Sequence, residues 1–498
     1  MDSPAVGRSA WQADMSLILL PALAVFAYCA FDRSLFFDGD TNWHLAAGRW
    51  ILANGVSPRV DPFSYTASGR LWVAHEWLSE ALMALAYGAA GWGGVVVLIG
   101  AAAAATTALM AAELRRWLGP LSVIAALGVS FMLLVPHLLL RPHILALLLL
   151  VLWTSRLLEA RRLGRSPPLW LLPLMVVWAN LHGSYIFGLA FIGPFALEAL
   201  TAARGAGRLS AALKWGAFGV AAVLAALLTP NGLDGLLLPF KVMTMTILTA
   251  LSEWKAADFG RPTPLEFALM FTLFICLYRG VRMGWARLAL LLLLLHMALQ
   301  HIRQEFVLAV VGPLLLAEPL GRAFEPGKAL PVPWRRPPAA DIVAPGLVAM
   351  VLVLSVAAWR LISVEDRRDG VNVPVTALSH VPPQLAARPV FNDYSFGGWL
   401  IFNGVRPFID GRADMYGDAF VQTYLAAEAV RTPSDADQAL RRYGVVWTIL
   451  QPTSPLVAHL DHSPGWRRLY ADKWAVVQVR DDAWPPPASA TVVPQPVK

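Results

Sequence analysis

Long apolar runs, broken by short polar loops, occupy most of this sequence from Met15 to Leu361. A helix needs about 20 apolar residues to cross the hydrocarbon core of a membrane. The chain of 498 residues is 57% hydrophobic and only 15% charged, whereas soluble domains carry about 25% charged residues. Such a chain cannot bury its apolar surface in one or two globular cores, so we expect a polytopic α-helical membrane protein.

The apolar runs predict about eleven membrane spans. The clear candidates are Met15–Phe31, Leu118–Val135, Leu138–Leu158, Leu169–Leu181, Tyr185–Leu200, Ala211–Leu228, Leu265–Tyr278, Trp285–Gln300, Phe306–Leu320 and Ile342–Leu361. The stretch from Glu76 to Glu113 is ambiguous, because hydropathy alone allows two spans broken at Gly91, Gly93 and Gly94. One net crossing there, with part of the stretch lying at the interface, completes the predicted number.

Arginines in the short loops set the predicted orientation. The formal net charge is +7, but the basic residues fall between apolar runs, where membrane proteins use them to fix topology, so we expect no nucleic-acid partner. With one net crossing at Glu76–Glu113, all basic clusters fall on one side, for example Arg161–Arg165 and Arg335–Arg336. The positive-inside rule puts that side, and the N-terminus, in the cytoplasm. Scarce lysine beside abundant arginine and alanine is typical of GC-rich bacterial genomes, which favours a bacterial inner (plasma) membrane.

The composition becomes that of a soluble protein after Leu361. Asp, Arg, Pro and Tyr reach ordinary soluble frequencies. Short apolar strands, such as Val445–Leu450 and Trp474–Val479, alternate with helical stretches, such as Ala419–Val430 and Ala436–Tyr443. This alternation predicts a small α/β domain.

Two domains are therefore expected. Residues 1–362 form a membrane domain, in which residues 33–75 are a large first outer loop and residues 229–263 a second long outer segment. Residues 363–498 form a soluble periplasmic α/β domain that ends in a Pro-rich tail.

Polar side chains suited to chemistry gather in the predicted outer segments. The first outer loop carries FFDGDTNWH and WVAHEWL, and the later outer segments carry PHLLLRPH, ANLHGS, TPNG, LSEW and HIRQEF. Each residue alone has an ordinary explanation, such as a helix cap, a snorkelling arginine or an aromatic belt. Helix caps and aromatic belts would occur at both faces of the membrane, whereas these residues are predicted to lie at one face. The asymmetry favours an outward-facing site at the membrane boundary, where a lipid-linked substrate could be held.

Asp38-Gly39-Asp40, just after the first span, is the sharpest local signal. Two carboxylates that flank a glycine near an apolar surface repel each other and are poorly solvated, which favours a raised pKa or a bound cation. Either property suits a base that takes a proton from an acceptor hydroxyl or amide. A solvated acidic turn that ends a helix is the ordinary alternative.

A first span followed by DGDTNWHLAAGRWILANG and then HEW resembles the GT-C glycosyltransferases. These polytopic enzymes use polyprenyl-phosphate-linked sugars and carry a catalytic acid in the first outer loop. Counted back from the shared Arg49-Trp50 pair, Asp40 corresponds to the catalytic aspartate of the oligosaccharyltransferase catalytic subunit. Glu253 is a loose match to the glutamate in the mobile loop of that subunit.

The stretch VFNDYSFGGWLIFNGVRPFIDGRADMY resembles the WWDYG region of the same subunit. Asp393 and Tyr394 correspond to its Asp-Tyr pair. The Trp-Trp that precedes this pair is replaced by Phe391-Asn392, and the second outer loop has no clear Asp-x-Asp. The nature of the acceptor and the use of a metal therefore stay open.

The resemblance implies an inverting glycosyltransferase that moves a sugar from a polyprenyl-phosphate-linked donor to an envelope acceptor (protein, lipid or glycan) on the periplasmic face, with membrane lipid around it. Asp40, aided by Asp38, would be the base or the metal-bearing carboxylate, and Glu253 is the third catalytic candidate. A divalent cation, Mg²⁺ or Mn²⁺, is the one cofactor left open. Arg303 and Arg141 are the predicted phosphate partners, because guanidinium binds phosphate in a bidentate fork.

The other predicted substrate-binding residues come from both domains. The set for the sugar or the acceptor is His75, Glu76, His143, Asn180 and His182, and the set for the outer domain's wall of the same cleft is Asp393, Tyr394, Asp410 and Arg412.

Two other functions remain open at this point. A transporter or flippase of lipid-linked sugars would carry ionisable groups near the bilayer midplane and often shows inverted repeats. The main mid-span candidate is His296, and no internal repeat is evident. A non-catalytic scaffold for envelope assembly would tolerate the loss of Asp40, which separates it from an enzyme.

Overall fold

The structure is a computed structural model that describes residues 4–247, 252–326, 331, 339–363 and 367–484. The chain divides into two compact units. We call residues 1–59 and 73–366 the membrane unit, and residues 60–72 and 367–498 the sheet unit. The basic pair Arg335–Arg336 and the Pro-rich tail from residue 485 lie outside the described residues.

The membrane unit consists of helices. They are α1 Pro4–Phe31, α2 Asp40–Asn54, α3 Trp77–Leu114, α4 Pro120–Leu134, α5 Pro142–Arg162, α6 Leu171–Leu181, α7 Tyr185–Ala202, α8 Ala206–Ala226, α9 Gly232–Met243, α10 Pro264–Tyr278, α11 Trp285–Gln300, α12 Glu305–Phe324 and α13 Ala339–Ile362. Helix α3 packs against α1, α2 and α5, and α12 packs against α4, α5 and α11. Small and apolar side chains dominate these contacts, as expected where lipid rather than water surrounds the bundle.

Each predicted span falls on one of these helices. Among the described residues, six helices are long and apolar enough to cross a membrane: Trp77–Leu114, Pro120–His137, Pro142–Arg162, Tyr185–Ala202, Ala206–Ala226 and Ile302–Phe324. The other predicted spans coincide with shorter apolar helices. The multi-pass character is therefore clear, while the number of about eleven spans stays a prediction.

The ambiguous stretch is a single helix, α3, with a sharp break. Ala90 and Gly91 leave helical geometry, and Gly91 adopts φ +56°, a conformation that glycine accepts without strain. Residues 77–89 before the break reach roughly 20 Å, less than the hydrocarbon core, whereas residues 92–114 reach far enough to cross it. This geometry agrees with the predicted single net crossing.

The sheet unit contains a four-stranded mixed sheet in the order β1-β2-β4-β3. Its strands are β1 Val390–Asn392, β2 Trp447–Leu450, β3 Trp466–Ala471 and β4 Val476–Arg480, and its helices are α14 Val375–Ser379, α15 Pro383–Ala386, α16 Gly397–Phe402, α17 Ala413–Tyr416, α18 Asp418–Glu428, α19 Pro433–Arg442 and α20 Pro455–Asp461. Strand β1 runs parallel to β2, and the other pairs are antiparallel. The predicted strands and helices of this α/β domain are confirmed as β2, β4, α18 and α19.

The sheet unit also includes residues 60–72, which the sequence predicts as part of the outer loop of the membrane domain. Tyr65 donates its hydroxyl to the carbonyl of Val390 at 3.0 Å, and Arg70 donates to the carbonyl of Tyr416 at 2.7 Å. The structure groups residues 60–72 with residues 367–498, whereas the predicted division into residues 1–362 and 363–498 places them in the first domain. Side chains of residues 60–72 donate hydrogen bonds to backbone carbonyls in the rest of the sheet unit. Local sequence patterns do not reveal such distant contacts.

Candidate active site: an arginine among three carboxylates

The Asp38-Gly39-Asp40 motif lies at the first turn of α2. Asp38 accepts hydrogen bonds from the backbone N–H of Asp40 and from the hydroxyl of Thr41, both at 3.3 Å. A carboxylate at this position is favoured because it caps free N–H groups and meets the positive end of the helix dipole. The motif therefore caps a helix, and its second carboxylate, Asp40, begins that helix.

Arg141 brings the carboxylates together. It precedes Pro142 at the start of α5 and adopts an extended conformation (φ −122°, ψ 154°), as residues before proline prefer. Its Nε and Nη2 donate to Oδ2 and Oδ1 of Asp38 at 2.5 and 2.6 Å. Nη2 also donates to Oδ2 of Asp40 at 2.7 Å, and Nη1 donates to Oε2 of Glu253 at 2.8 Å. We call these four residues the Arg141 cluster.

Arg303 extends the cluster at the Glu253 end. Its Nη1 donates to Oε1 of Glu253 at 3.2 Å, and its guanidinium lies 5.1 Å from the ring centroid of Trp254, within cation–π range. Backbone bonds from Ile302 to Lys255 (3.0 Å) and from Ala257 to Leu299 (2.9 Å) hold the Glu253 segment against the end of α11.

The two aspartates differ in exposure. The side chain of Asp38 is 5% exposed and both its oxygens bind Arg141, whereas that of Asp40 is 24% exposed. Glu253 and Arg303 are each 35% exposed. Asp40, Glu253 and Arg303 therefore form the accessible side of the cluster, and Asp38 its buried side.

The pKa values of the two aspartates also differ, because Arg141 binds them unequally. Burial opposes the ionisation of Asp38, but the charge and hydrogen bonds of Arg141 outweigh it, so the pKa of Asp38 lies below its usual range. Burial raises the pKa of Asp40 to about 7; Arg141 opposes this rise, and the charges of Asp38 and Glu253 add to it. Burial also disfavours the Glu253 carboxylate, but Arg141 and Arg303 keep its pKa below the usual value. Asp40 is thus the carboxylate suited to exchange a proton near neutral pH.

A second group of polar residues lies at the start of α3. His44 Nδ1 is 3.1 Å from Oε1 of Glu80, and His44 Nε2 is 3.7 Å from Oε2 of Glu76. Oε1 of Glu76 is 3.2 Å from His182 Nε2 and 3.6 Å from His75 Nε2. We call these five residues the His44 cluster.

Glycine makes the His44 cluster possible. A Cβ at Gly48 would lie 2.0 Å from the carbonyl oxygen of Glu80, so only glycine lets α2 cross this closely over α3. His44 lies one turn earlier on α2 and therefore faces the first turn of α3. Burial, followed by the charge of Arg141, holds the pKa of His44 well below its usual value, so its imidazole is neutral.

Hydrogen bonds fix the tautomer of His182. Its Nδ1 accepts from the backbone N–H of Ser184 at 3.0 Å, so its proton lies on Nε2, which is 3.2 Å from Oε1 of Glu76. His182 therefore orients the Glu76 carboxylate. His143 Nε2 donates to the carbonyl of His137 at 2.9 Å.

Asn180 has a different role from the predicted one. Its Oδ1 accepts from Trp77 Nε1 at 2.6 Å, and its Nδ2 donates to the carbonyls of Val176 (2.8 Å) and Leu228 (3.0 Å). These bonds use the amide to join α3, α6 and the end of α8. The predicted sugar contact through Asn180 is therefore not supported, because its polar atoms are committed to packing.

Asp410 and Arg412 belong to a buried network of charged side chains in the sheet unit. Arg412 donates to both oxygens of Asp410 at 2.7 Å and to Asp61 at 2.7 Å, and Tyr416 donates its hydroxyl to Asp410 at 2.8 Å. Asp410 and Arg412 are 0% and 1% exposed. These side chains have almost no accessible surface for a substrate contact, and their predicted place in a cleft wall stays a prediction.

Asp393 and Tyr394 lie at the surface of the sheet unit. Asp393 caps the short helix Tyr394–Phe396 by accepting from the backbone N–H of Ser395 at 2.9 Å. Burial raises the pKa of Asp393, although the bonds from Ser395 oppose the rise. Both residues are partly exposed, and their contact with a substrate stays a prediction.

A divalent cation fits poorly between Asp38, Asp40 and Glu253. Such an ion binds carboxylate oxygens at about 2.0–2.6 Å, and the oxygens that converge here already bind the guanidinium of Arg141. Among the described residues, the donor set with suitable spacing is His44, Glu76 and Glu80, which offer ligand atoms within 4.8 Å of one another. A neutral imidazole with two carboxylates suits a transition metal.

Sequence reasoning missed His44 and Glu80. Both follow a predicted residue by four positions on a helix, His44 after Asp40 and Glu80 after Glu76. Residues at this spacing share a helix face, so the periodicity of the helix was the signal that could have found them.

The fold of the whole chain has a counterpart among solved structures. An archaeal oligosaccharyltransferase, AglB from Archaeoglobus fulgidus in complex with an inhibitory peptide and a dolichol-phosphate, matches with a TM-score of 0.53 at 11% identity, over 96% of this chain and 75% of that one. The chain has an AglB-like fold. The apo form of the Archaeoglobus fulgidus oligosaccharyltransferase matches with a TM-score of 0.42 at 10% identity, over 88% of this chain and 69% of that one.

The AglB-like fold confirms the predicted likeness to the oligosaccharyltransferase catalytic subunit at the level of the fold. No protein family model matches this chain, and no curated protein matches it. The function therefore has to be argued from the residues of the site.

Proposed function

We propose that this chain is a glycosyltransferase that moves a sugar from a polyprenyl-phosphate-linked donor to an envelope acceptor, at the periplasmic face of a bacterial inner membrane. The AglB-like fold supports this class of enzyme. The observation that carries the proposal is the Arg141 cluster, in which a partly exposed carboxylate, Asp40, adjoins a buried carboxylate that Arg141 holds ionised. Neighbouring carboxylates with separated pKa values divide acid–base roles in glycosyl chemistry.

Asp40 is the proposed base. A group with a pKa of about 7 is both ionised often enough and basic enough to take a proton near neutral pH. In the proposed step, an acceptor heteroatom bonds to the anomeric carbon as the bond from that carbon to the phosphate oxygen breaks. The electron pair of the broken bond stays on the phosphate, and the acceptor proton passes to Asp40. Attack opposite the departing phosphate inverts the anomeric configuration.

Arg303 is the proposed phosphate partner. Its side chain is 35% exposed and forms an ion pair with Glu253, so a guanidinium with five N–H donors retains capacity for phosphate oxygens. Arg141 is 17% exposed and distributes its donors among three carboxylates. The phosphate role that the sequence divides between the two arginines is thus assigned to Arg303.

An apolar cavity of about 340 Å³ lies among α4, α10, α11 and α12. Its lining includes Leu133, Leu265, Leu291 and Leu308, and Leu308 follows Arg303 by five positions at the start of α12. A polyprenyl chain is a flexible hydrocarbon that gains free energy from such a lining. We assign the cavity to the lipid of the donor, with its phosphate at Arg303.

A deletion strain tests the proposal. Mass spectrometry should detect an envelope glycan or glycoprotein that is absent from the deletion strain and restored by the wild-type chain. Because the AglB structure holds a peptide, glycosylated polypeptides are the first acceptor class to examine.

Substitution of Asp40 completes the test. Asp40→Asn at matched protein levels should fail to restore the product, whereas the exposed Asp234→Asn should restore it. Restoration by Asp40→Asn would contradict the proposal and favour a transporter or a scaffold.

A further inference from the structure

Three carboxylates from two distant parts of the chain converge on one cation. Asp38 and Asp40 belong to the start of α2, whereas Glu253 lies more than two hundred positions later. All three bind the guanidinium of Arg141, at N–O distances between 2.5 and 2.8 Å. Convergence of three carboxylates on one point is otherwise typical of a divalent-cation site.

We propose that Arg141 is a built-in cation, whose guanidinium takes the position that a divalent ion would fill between Asp38, Asp40 and Glu253. The role of Arg141 in catalysis rests on the proposed function. The claim that its guanidinium occupies the position of an ion does not. Arginine keeps its charge at every physiological pH. The cluster then needs no ion from solution to hold Asp40 and Glu253 in place.

An ion and Arg141 cannot both occupy the position between the three carboxylates. An ion within about 2.6 Å of the Asp38 oxygens would occupy the same space as the guanidinium nitrogens, which lie 2.5 and 2.6 Å from those oxygens. Both would also be positive, so they would repel each other. Arg141 is only 17% exposed, and three elements hold it: the start of α2, the start of α5 and the Glu253 segment.

The arrangement of the carboxylate oxygens suits a guanidinium better than a metal ion. The two oxygens of Asp38 meet two different nitrogens, Nε and Nη2, in a bidentate pair, and Nη1 meets Glu253. Planar, forked pairing of this kind is specific to arginine. Arg141 is thus a positioning residue that acts through the carboxylates.

Binding of Mn²⁺ to the purified full-length chain tests the proposal without a donor or an acceptor. Electron paramagnetic resonance would follow a Mn²⁺ titration of the wild type, Asp38→Asn, Arg141→Gln and the double variant. The wild type should bind no Mn²⁺ that depends on Asp38. Arg141→Gln vacates the position between the carboxylates, so it should gain about one equivalent of Mn²⁺, and adding Asp38→Asn should abolish the gain.

His44→Ala is the matched control. It removes a ligand of the other donor set, His44, Glu76 and Glu80, so the Mn²⁺ gained by Arg141→Gln should persist in its presence. Arg141→Lys keeps a positive charge and should still exclude Mn²⁺. If Arg141→Gln fails to fold, the wild type and Arg141→Lys are each measured with and without Asp38→Asn. Asp38-dependent binding of Mn²⁺ to either protein would contradict the proposal.

Two results would overturn the proposal. Asp38-dependent binding of Mn²⁺ to the wild type would show that an ion displaces Arg141. A folded Arg141→Gln variant that gains no Mn²⁺ would show that the carboxylates do not form a cation site. Failure of the proposed function would appear separately, as an unchanged envelope in the deletion strain.

Discussion

Arg141 binds both oxygens of Asp38 in a forked pair, with Nε 2.5 Å from Oδ2 and Nη2 2.6 Å from Oδ1. Nη2 also contacts Asp40, at 2.7 Å. Burial opposes the ionisation of both aspartates. The guanidinium outweighs burial at Asp38, whereas at Asp40 burial and the charges of Asp38 and Glu253 keep the pKa raised. Two carboxylates one glycine apart acquire different chemistry because one arginine binds them unequally.

Asp40→Asn should reduce transfer by at least about 10²-fold, because it removes the proposed base while keeping the size of the side chain. Asp38→Asn should cost less, since Asp38 acts through Arg141 and Asp40. The double variant should lose less than the product of the two single losses, as groups that act as a unit are non-additive. Product formation in membranes at matched protein levels measures all three. Strictly multiplicative losses would contradict a shared role.

The pH dependence of transfer should show an acidic limb with an apparent pKa of about 7, the value for Asp40. The base works when ionised, so the rate should rise with pH and level off above this value. Glu253→Gln removes a negative charge that raises the pKa of Asp40, so the limb should move to lower pH. If the acidic limb stays at the same pH in Glu253→Gln, the group that titrates is not Asp40. Asp234→Asn is the control, with the profile of the wild type.

Arg303→Lys should weaken donor binding, because lysine keeps the charge but loses the fork. Loss of one charge-assisted hydrogen bond costs about 1.5–3 kcal/mol, which is roughly tenfold or more in affinity. The KM for the lipid-linked donor should therefore rise while kcat changes little. Arg204→Lys, at an exposed position in a predicted cytoplasmic loop, should have no effect. A fall in kcat alone would assign Arg303 to the chemical step.

Asp61→Asn should destabilise the sheet unit, since Arg412 would lose a carboxylate partner in a fully buried network. Removing one partner of a buried ion pair costs about 3–5 kcal/mol. Asp437→Asn should cost at most about 1 kcal/mol, because the partners of Asp437 are surface pairs. Limited proteolysis of the full chain in detergent compares the two variants. Equal resistance in both would mean that residues 60–72 contribute little to the unit.

Alkaline phosphatase fused after Arg368 should be active, because the loop arginines predict that the chain enters the periplasm after α13. A fusion within the Arg161–Arg165 loop should be inactive. The opposite pattern would reverse the predicted orientation of the membrane unit.

The sequence by itself determined the membrane-spanning character, the apolar helices of the membrane unit, and strands β2 and β4 of the four-stranded sheet. These features depend on local hydrophobicity and periodicity, which neighbouring residues carry. The sequence also identified the Asp38-Gly39-Asp40 motif, Glu253 and Arg303 as candidates. Charged groups beside apolar runs are energetically costly and often mark a functional site.

Only the tertiary structure decided which of these groups meet. The contact of Arg141 with Asp38 joins residues 103 positions apart, and that of Arg412 with Asp61 joins residues 351 positions apart. No local pattern encodes such pairs, because helix packing and the path of residues 60–72 bring them together. Packing also buried Asp410 and Arg412 in a network of charged side chains. It placed the guanidinium of Arg141 among the carboxylates for which the sequence left a metal open.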